Sequence, residues 1–517
     1  MKRIGLLLVA ATLVGAAPPE RVDLIIRGGT IYTGSDAPFV GDVAVSGDRI
    51  RAVGARLPFA ATRVVEARGL IVAPGFIDPH THLGERLLGE DAQARLIPGF
   101  LMQGVTTAFI GNDGRGDPNI AATLASARTR PVGINYAAYV GFGDVRSAVV
   151  GKADRAPTSD ELTRMRAMVA SAMCQGALGL STGLFYAPQS FAAQSEVVAL
   201  AREAGTRGGV YDSHIRDESS YSIGLAAAVD EAIAVGREAG LPAHIAHIKA
   251  LGVDVHGQAP TIIARIEAAR AKGQRVTADQ YPWSASGTTL AAALVPRWAH
   301  DGGRDALVKR FDDAAVAERL RSDMALNLRR RGGAESLLIT EGAYRGQRLS
   351  DVATKLALDP LAAAMAVIRT GDPNVASFNQ TEEDIAALMR RPWVMTGSDA
   401  SDSHPRAYGS FARKYDEYVR KRKVLSLRDF IERSSALAAD TFRLKDRGRL
   451  RPGAFADVVV FDPTAFAARA TYAEPALLAA GVRTVLVNGV LAVADGKLTG
   501  AAAGRGLAQT PPAGSCP

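Results

Sequence analysis

Residues 159–186, SDELTRMRAMVASAMCQGALGLSTGLFY, run a helical pattern directly into a short apolar strand. The same alternation recurs along the middle of the chain. Its strand candidates are GFIDPHTH, VTTAFIGNDG, VGINYAAYVGFG, ALGLSTGLFY, GGVYDSHIRDE, AHIAHIKAL, RVTADQYPW and PWVMTGSDA. Between them lie Ala-rich helical stretches such as SIGLAAAVDEAIAVGREAG. Strand and helix alternating about eight times predict an α/β fold of the (β/α)8 TIM-like barrel type. Residues from about 290 to 375 fit no single unit and are expected to be an insertion of helices over the barrel mouth.

Outward from this core, both ends turn β-rich. VDLIIRGGTIYTG, GDVAVSGDRIRAVG and RVVEARGLIVAP alternate apolar residues with Gly-containing turns. ADVVVFDP and RTVLVNGVLAVADGK match them near the other end. Termini often lie close together, so the two stretches are expected to pair into one small β-sandwich. The expected divisions are 1–17 as a targeting segment, 18–73 with 450–505 as the sandwich, 74–449 as the barrel, and 506–517 as a disordered tail.

The targeting segment follows from Lys2 and Arg3, an apolar run from Ile4 to Val14, and small residues after it. This is the pattern of a secretory signal, with Val14 and Ala16 before the cut and Ala17 after it. It predicts a periplasmic or secreted protein. The apolar run is too short for an ordinary membrane span, and the mature chain offers no other. The chain's 517 residues suit a large barrel with an accessory domain, and 47% hydrophobic residues exclude wholesale disorder. Two cysteines, Cys174 and Cys516, exclude a disulfide scaffold and a cysteine-rich metal site, and Cys516 in the tail is expected to be inert. A net charge of +8 is modest for this length. The sequence holds no basic run with interleaved aromatics that would follow a nucleic-acid backbone.

Polar, metal-capable residues end nearly every strand candidate, where barrels build their sites. His80 and His82 end the first strand, and the period of two turns both imidazoles the same way. Asp113 ends the second strand, His214 the fifth and Asp399 the eighth. The sixth offers His244 or His247, which are three apart, so only one is expected to face inward. His256, His300 and His404 fall in loops, and His256 and His300 are given no role. Imidazoles and carboxylates together suit zinc or a similar divalent ion.

VAPGFIDPHTH resembles the first-strand signature of the metal-dependent amidohydrolase superfamily. GALGLSTGLFY, YDSHIRDES, AHIK, DQYPW, TGSDAS with HPRAYGSFAR, and RGRLRPGAFADVVVFDP resemble its D-aminoacylase branch, the N-acyl-D-amino-acid deacylases. The resemblance runs from about residue 22 to 506. It implies a barrel hydrolase with a small β-sandwich, one or two zinc ions, and hydrolysis of an N-acyl amide. It implies that His80 and His82 hold one metal position, and that His214 and His247 hold the other, more tightly filled one. The His-x-Lys motif selects His247 over His244. Asp399 matches a metal ligand that is also the general acid/base. Lys249 and Arg406 match residues that hold the substrate carboxylate, and Tyr186 and Tyr281 match tyrosines lining the pocket.

One position departs from the pattern. The family has Gly-Asn-Cys-Gly after the second strand, with the cysteine a ligand; this chain has Gly111-Asn112-Asp113-Gly114. A carboxylate binds zinc and can bridge two ions, but it is a harder donor, so other divalent ions become competent. The expected substrate is a small N-acyl amino acid or a peptide-like molecule. The alternatives are a dipeptidase or cyclic-amide hydrolase with the same metal site, or a non-catalytic scaffold that has lost its ligands.

Overall fold

The computed structural model describes residues 20–516, so the expected signal segment lies outside the described residues. Among the described residues, no helix is long and apolar enough to cross a membrane.

Eight parallel segments follow one another in the order of the chain: Phe76–Asp78, Val105–Ile110, Asn135–Ala138 with Val140–Gly141, Gly179–Gly183, Val210–His214, Ala243–Ile245, Val276–Gln280 and Val394–Thr396. Each pairs in parallel with the next. The row returns on itself through a parallel bridge between Thr81 and Ala400, where His82 N donates to Ala400 O at 3.0 Å. The helices between strands show why this sequence winds so. Ser159–Cys174 starts with a capping box, Thr158 and Glu161 each satisfying the other's backbone amide. It buries Met165, Val169, Ala172 and Met173, one stripe at helical spacing. That stripe joins a core shared with the outward-facing strand residues, among them Leu180, Tyr211, Ala243 and Ile245. A separate cluster packs Ile77, Phe109, Val210 and Met395 from the opposite faces of the strands together with Tyr139 and with Phe442, which follows helix Ala436–Thr441.

The two β-rich ends do come together. Nine strands form one hydrogen-bonded sheet in the order Lys497–Leu498, Val490–Ala494, Val482–Val487, Val458–Phe461, Ile71–Pro74, Arg21–Ile31, Phe39–Ser46 and Arg49–Gly54, with Ala60–Glu66 also pairing Arg21–Ile31. The long first strand serves two neighbours in succession: residues 21–27 pair Ala60–Glu66, and Thr30 and Ile31 pair Ile71–Pro74. Alternation divides the Val458–Phe461 strand between two cores. Val458 and Val460 enter a cluster with Leu24, Val43 and Ile50, whereas Val459 and Phe461 pack into the large core.

The insertion is more than helices. It carries its own three-stranded antiparallel sheet, ordered Ala285–Thr289, Asn374–Phe378, Leu337–Ile339, and its own apolar cluster around Leu290, Leu294, Met324 and Val367. Its first strand begins at Ala285, a few residues before the expected boundary. The first strand was hidden because Ser286, Gly287, Thr288 and Thr289 carry little apolar signal, and Leu337–Ile339 because it is only three residues long.

Two expectations for the cysteines and the tail are corrected. Residues 504–509 run along the third strand: Tyr136 N donates to Arg505 O at 2.9 Å and Leu507 N to Tyr136 O at 2.8 Å. Gln509 N then reaches Gly176 O at 2.9 Å, and Cys516 closes a disulfide with Cys174. The third strand meets the second through residues 135–138 but the fourth only from Ala138 onward, through Val140, Gly141 and a bond from Leu178 N to Ala138 O. The tail takes the bonding positions left free below. A separation of 342 residues gave the sequence no local sign of this pairing.

Candidate metal centre

The expected ligands converge at the carboxyl ends of the ring. Asp113 is central. Its Oδ1 lies 3.4 Å from His80 Nε2 and 3.6 Å from His247 Nε2; its Oδ2 lies 3.6 Å from His82 Nε2 and 3.6 Å from His214 Nδ1. Asp399 Oδ1 is 3.1 Å from His82 Nε2 and 3.7 Å from His80 Nε2. Three overlapping triads result, His80–His82–Asp113, Asp113–His214–His247 and His80–His247–Asp399, each with donor atoms within 4.8 Å of one another.

Local backbone explains the convergence. Asp113, His247 and Asp399 lie two or three residues past the end of a strand and all have left-handed φ, +57°, +33° and +50°. Each costs about 1–3 kcal/mol for a residue with a Cβ, and such positions concentrate at functional sites. The surrounding contacts hold Asp113 there. Gln189 donates to Asp113 O at 2.8 Å while accepting from Gly183 N, and Gly114 N donates to Ser181 Oγ at 3.1 Å. A Cβ at Gly111 would meet Tyr139 O at 2.7 Å, so the turn into Asp113 needs glycine. Among the described residues no backbone amide donates to the Asp113 carboxylate, which therefore does not cap its own turn.

His244 corrects the one-or-the-other reading of the sixth strand. Both histidines turn inward. His244 lies within Ala243–Ile245, and its Nε2 meets Asp279 Oδ2 at 3.0 Å and its Nδ1 meets Thr277 Oγ1 at 2.9 Å. His247 lies past the strand end, where its positive φ breaks the alternation and delivers it to Asp113.

The substrate-binding candidates take different places. Lys249 Nζ pairs with Glu218 and lies 2.8 Å from His247 Nδ1. Arg406 Nη1 lies 2.6 Å from Asp399 Oδ2, and its Nη2 donates to Ser401 Oγ at 3.2 Å. Tyr186 lines the cavity, its hydroxyl 3.4 Å from Thr288 Oγ1. Tyr281 is buried behind, its ring between Lys249 and Arg406 and its hydroxyl accepting from Gln380. Sequence reasoning missed Glu218, whose Oε1 is 3.1 Å from His247 Nδ1. It stands four residues after His214 within the quoted YDSHIRDES, and that spacing was the available signal. Asn112 was also missed. It donates to Pro79 O and Asp212 Oδ2, both at 3.1 Å, bracing the loop that carries His80. His404 accepts from Arg406 N and meets Ala285 O at 3.2 Å, joining Arg406 to the insertion.

Electrostatics favour a cation here. Burial drives His80 down to about 3, against the pull of Asp113. Burial and Lys249 lower His247, but Asp399 and Glu218 outweigh them and raise it to about 10. Burial opposes ionisation of Asp113 and Asp399, yet His80 and His214 hold the first carboxyl well below its usual range and Arg406 and His247 lower the second. Burial raises the Tyr186 phenol to about 12, so it stays a donor. His80 Nε2, Asp113 Oδ1 and both ring nitrogens of His214 are buried without hydrogen-bond partners. Buried ring nitrogens and a carboxylate oxygen left without partners, close to one another, fit a divalent ion as the missing one.

A buried imidazole–carboxylate cluster at the carboxyl ends of a parallel ring defines a metal-binding hydrolase. The chain belongs to the amidohydrolase family, whose model matches residues 63–493. It is 33% identical to a D-aminoacylase from Alcaligenes xylosoxydans xylosoxydans over 94% of this chain and 98% of that one. A solved D-aminoacylase, studied for its binuclear metal centre with one-metal activation and second-metal attenuation, superposes with TM-score 0.79 at 30% identity, covering 94% of this chain and all of that one. The N-acyl-D-glutamate deacylase from Bordetella bronchiseptica, solved with zinc and a phosphonate mimic of the tetrahedral intermediate, gives TM-score 0.79 at 31% identity, covering 95% of this chain and all of that one.

Proposed function

We propose that this protein is a zinc-dependent hydrolase of N-acyl amino acids, D-aminoacylase-like, built as a (β/α)8 barrel with a small β-sandwich. The observation that carries the reading is the Asp113-centred cluster of four histidines beside Asp399. The likeness to D-aminoacylases along nearly the whole chain supports the substrate class.

His80 and His82 with Asp399, and His214 with His247, would hold one or two ions, with Asp113 shared between them. When bound, zinc lowers the pKa of water toward ~7 and polarises the amide carbonyl. Asp399 takes the proton of the attacking water at its carboxylate and returns it to the departing amide nitrogen. Arg406 keeps that carboxylate ionised and oriented, and its buried Nε, without a partner, faces no competing acceptor. Lys249 and Arg406 supply positive charge for the α-carboxylate. The hard Asp113 carboxylate makes manganese or a similar ion an acceptable substitute. Export through residues 1–17 completes the reading, and the Cys174–Cys516 disulfide supports it because disulfides persist in oxidising compartments.

The test is turnover of N-acetyl-D-amino acids, N-acetyl-L-amino acids and dipeptides by zinc-loaded protein, with metal content measured alongside. Turnover of the D series is the expected result. Hydrolysis of dipeptides alone, or of none of the three, would overturn the assignment.

A further inference from the structure

The cavity over the metal ligands is lined by Lys249 and by a third cation, Arg331, which comes from the insertion and not from the ring. Lys249 and Arg406 both have carboxylate partners, Glu218 and Asp399. Arg331 has none among the described residues. It is 2% exposed, and its Nε and Nη1 are buried without a hydrogen-bond partner. Its guanidinium lies 5.7 Å from the centre of the Tyr221 ring, and the buried Tyr221 hydroxyl has no hydrogen-bond partner other than that guanidinium. Tyr221 lines the same cavity.

The insertion is held so as to place this pair. Arg329 donates to both carboxylate oxygens of Asp254, at 2.6 and 2.8 Å, and Arg330 Nε donates to Ser220 Oγ at 3.1 Å. Val253 N donates to Arg330 O at 3.0 Å. Arg331 is thus fixed against the loop that follows Lys249. A guanidinium stays charged, and leaving it buried and unpaired is strongly unfavourable. A structure that braces such a group from both sides is arranged for an anion to arrive.

We infer that Arg331 and Tyr221 form a receptor for a second carboxylate on the substrate, beyond the α-carboxylate. This rests on the N-acyl amino acid reading above. Lys249 and Arg406 touch His247 and Asp399, so they stand beside the scissile amide. Among the described residues Arg331 makes no hydrogen bond or ion pair with a ligand residue, and it serves a group further along the molecule. That group is the side-chain carboxylate of an acidic amino acid or the free end of a dicarboxylic acyl group. The planar fork takes either one bidentately, with the phenol as a third donor.

The test compares zinc-loaded wild type, Arg331→Met and Tyr221→Phe on N-acetyl-D-glutamate, N-glutaryl-D-leucine and N-acetyl-D-leucine. Wild type is expected to prefer one of the two dicarboxylates, and which one identifies the source of the carboxylate. Arg331→Met is expected to cut the preference over N-acetyl-D-leucine on the order of 100-fold, and Tyr221→Phe about 10-fold. Equal losses on all three substrates, or no dicarboxylate preference in wild type, would overturn the receptor. A binding arm stands apart from turnover. Wild type should bind glutarate more tightly than butyrate, and each variant should narrow the gap. Absence of turnover with that gap intact sinks the amide reading and keeps the receptor. Equal binding of glutarate and butyrate by wild type sinks the receptor whatever the turnover. Tyr221→Phe removes one oxygen and decides the matter if Arg331→Met does not fold.

Discussion

Asp113 stands within 3.6 Å of four imidazoles, and two substitutions separate its roles. Asp113→Cys replaces a hard donor by a soft one and is expected to shift metal preference toward zinc over manganese. Asp113→Ala removes the shared donor and should lose metal outright or bind it far more weakly. Metal analysis of the three proteins checks this, and identical content and selectivity in all would reduce Asp113 to a turn residue. Asp399→Asn keeps the size but cannot accept the water proton. Turnover should fall at least 10²-fold while circular dichroism stays native; full activity would remove Asp399 from the mechanism. Arg406 reports on the same carboxylate. Its contact with Asp399 means that Arg406→Ala lowers kcat on neutral amide analogues as well as on carboxylate-bearing substrates, and an effect confined to the latter would limit Arg406 to recognition. The metal ligands were legible because each stands at or just past a strand end. Glu218 and Arg331 were not, because a lone Glu or Arg in a charged loop looks like a solvated side chain until the packing shows it buried.

All eight parallel strands lie within the stretches marked by the apolar pattern, and their order in the sheet is their order in the chain. What the pattern could not reveal was where alternation stops. His244 and His247 both turn inward because a left-handed residue resets the face, and no period of two anticipates that. The insertion was visible only as a failure of the repeat, since its first strand is polar and its apolar one, Leu337–Ile339, is only three residues long. Its attachment turns on Gly252, whose φ is +94° and whose added Cβ would fall 2.2 Å from Arg330 O. Gly252→Ala is expected to destabilise the protein by about 1–3 kcal/mol and to displace the turn carrying Arg331. Thermal unfolding and the dicarboxylate preference together check this. An unchanged melting temperature with unchanged preference would show that the turn accommodates the methyl group without cost.

Across the whole molecule, the chain is tied at both ends. The first and last strands share one sheet, and Cys174 and Cys516 close a covalent loop spanning most of the ring. Cross-links of long loops typically stabilise by about 2–5 kcal/mol. Cys516→Ser, or reduction of the wild type, is therefore expected to lower the melting temperature by several degrees, read by calorimetry with and without reductant; coincident curves would show that the tail's hydrogen bonds suffice. The placement of residues 504–509 against the third strand reaches further than stability. That strand is synthesised some 370 residues before Arg505, its partner. The last bonding positions between the third and fourth strands thus stay open until residues 504–509 have been made and fill them. A chain cut off before residue 504 would lack the closing piece, however complete the catalytic ligands.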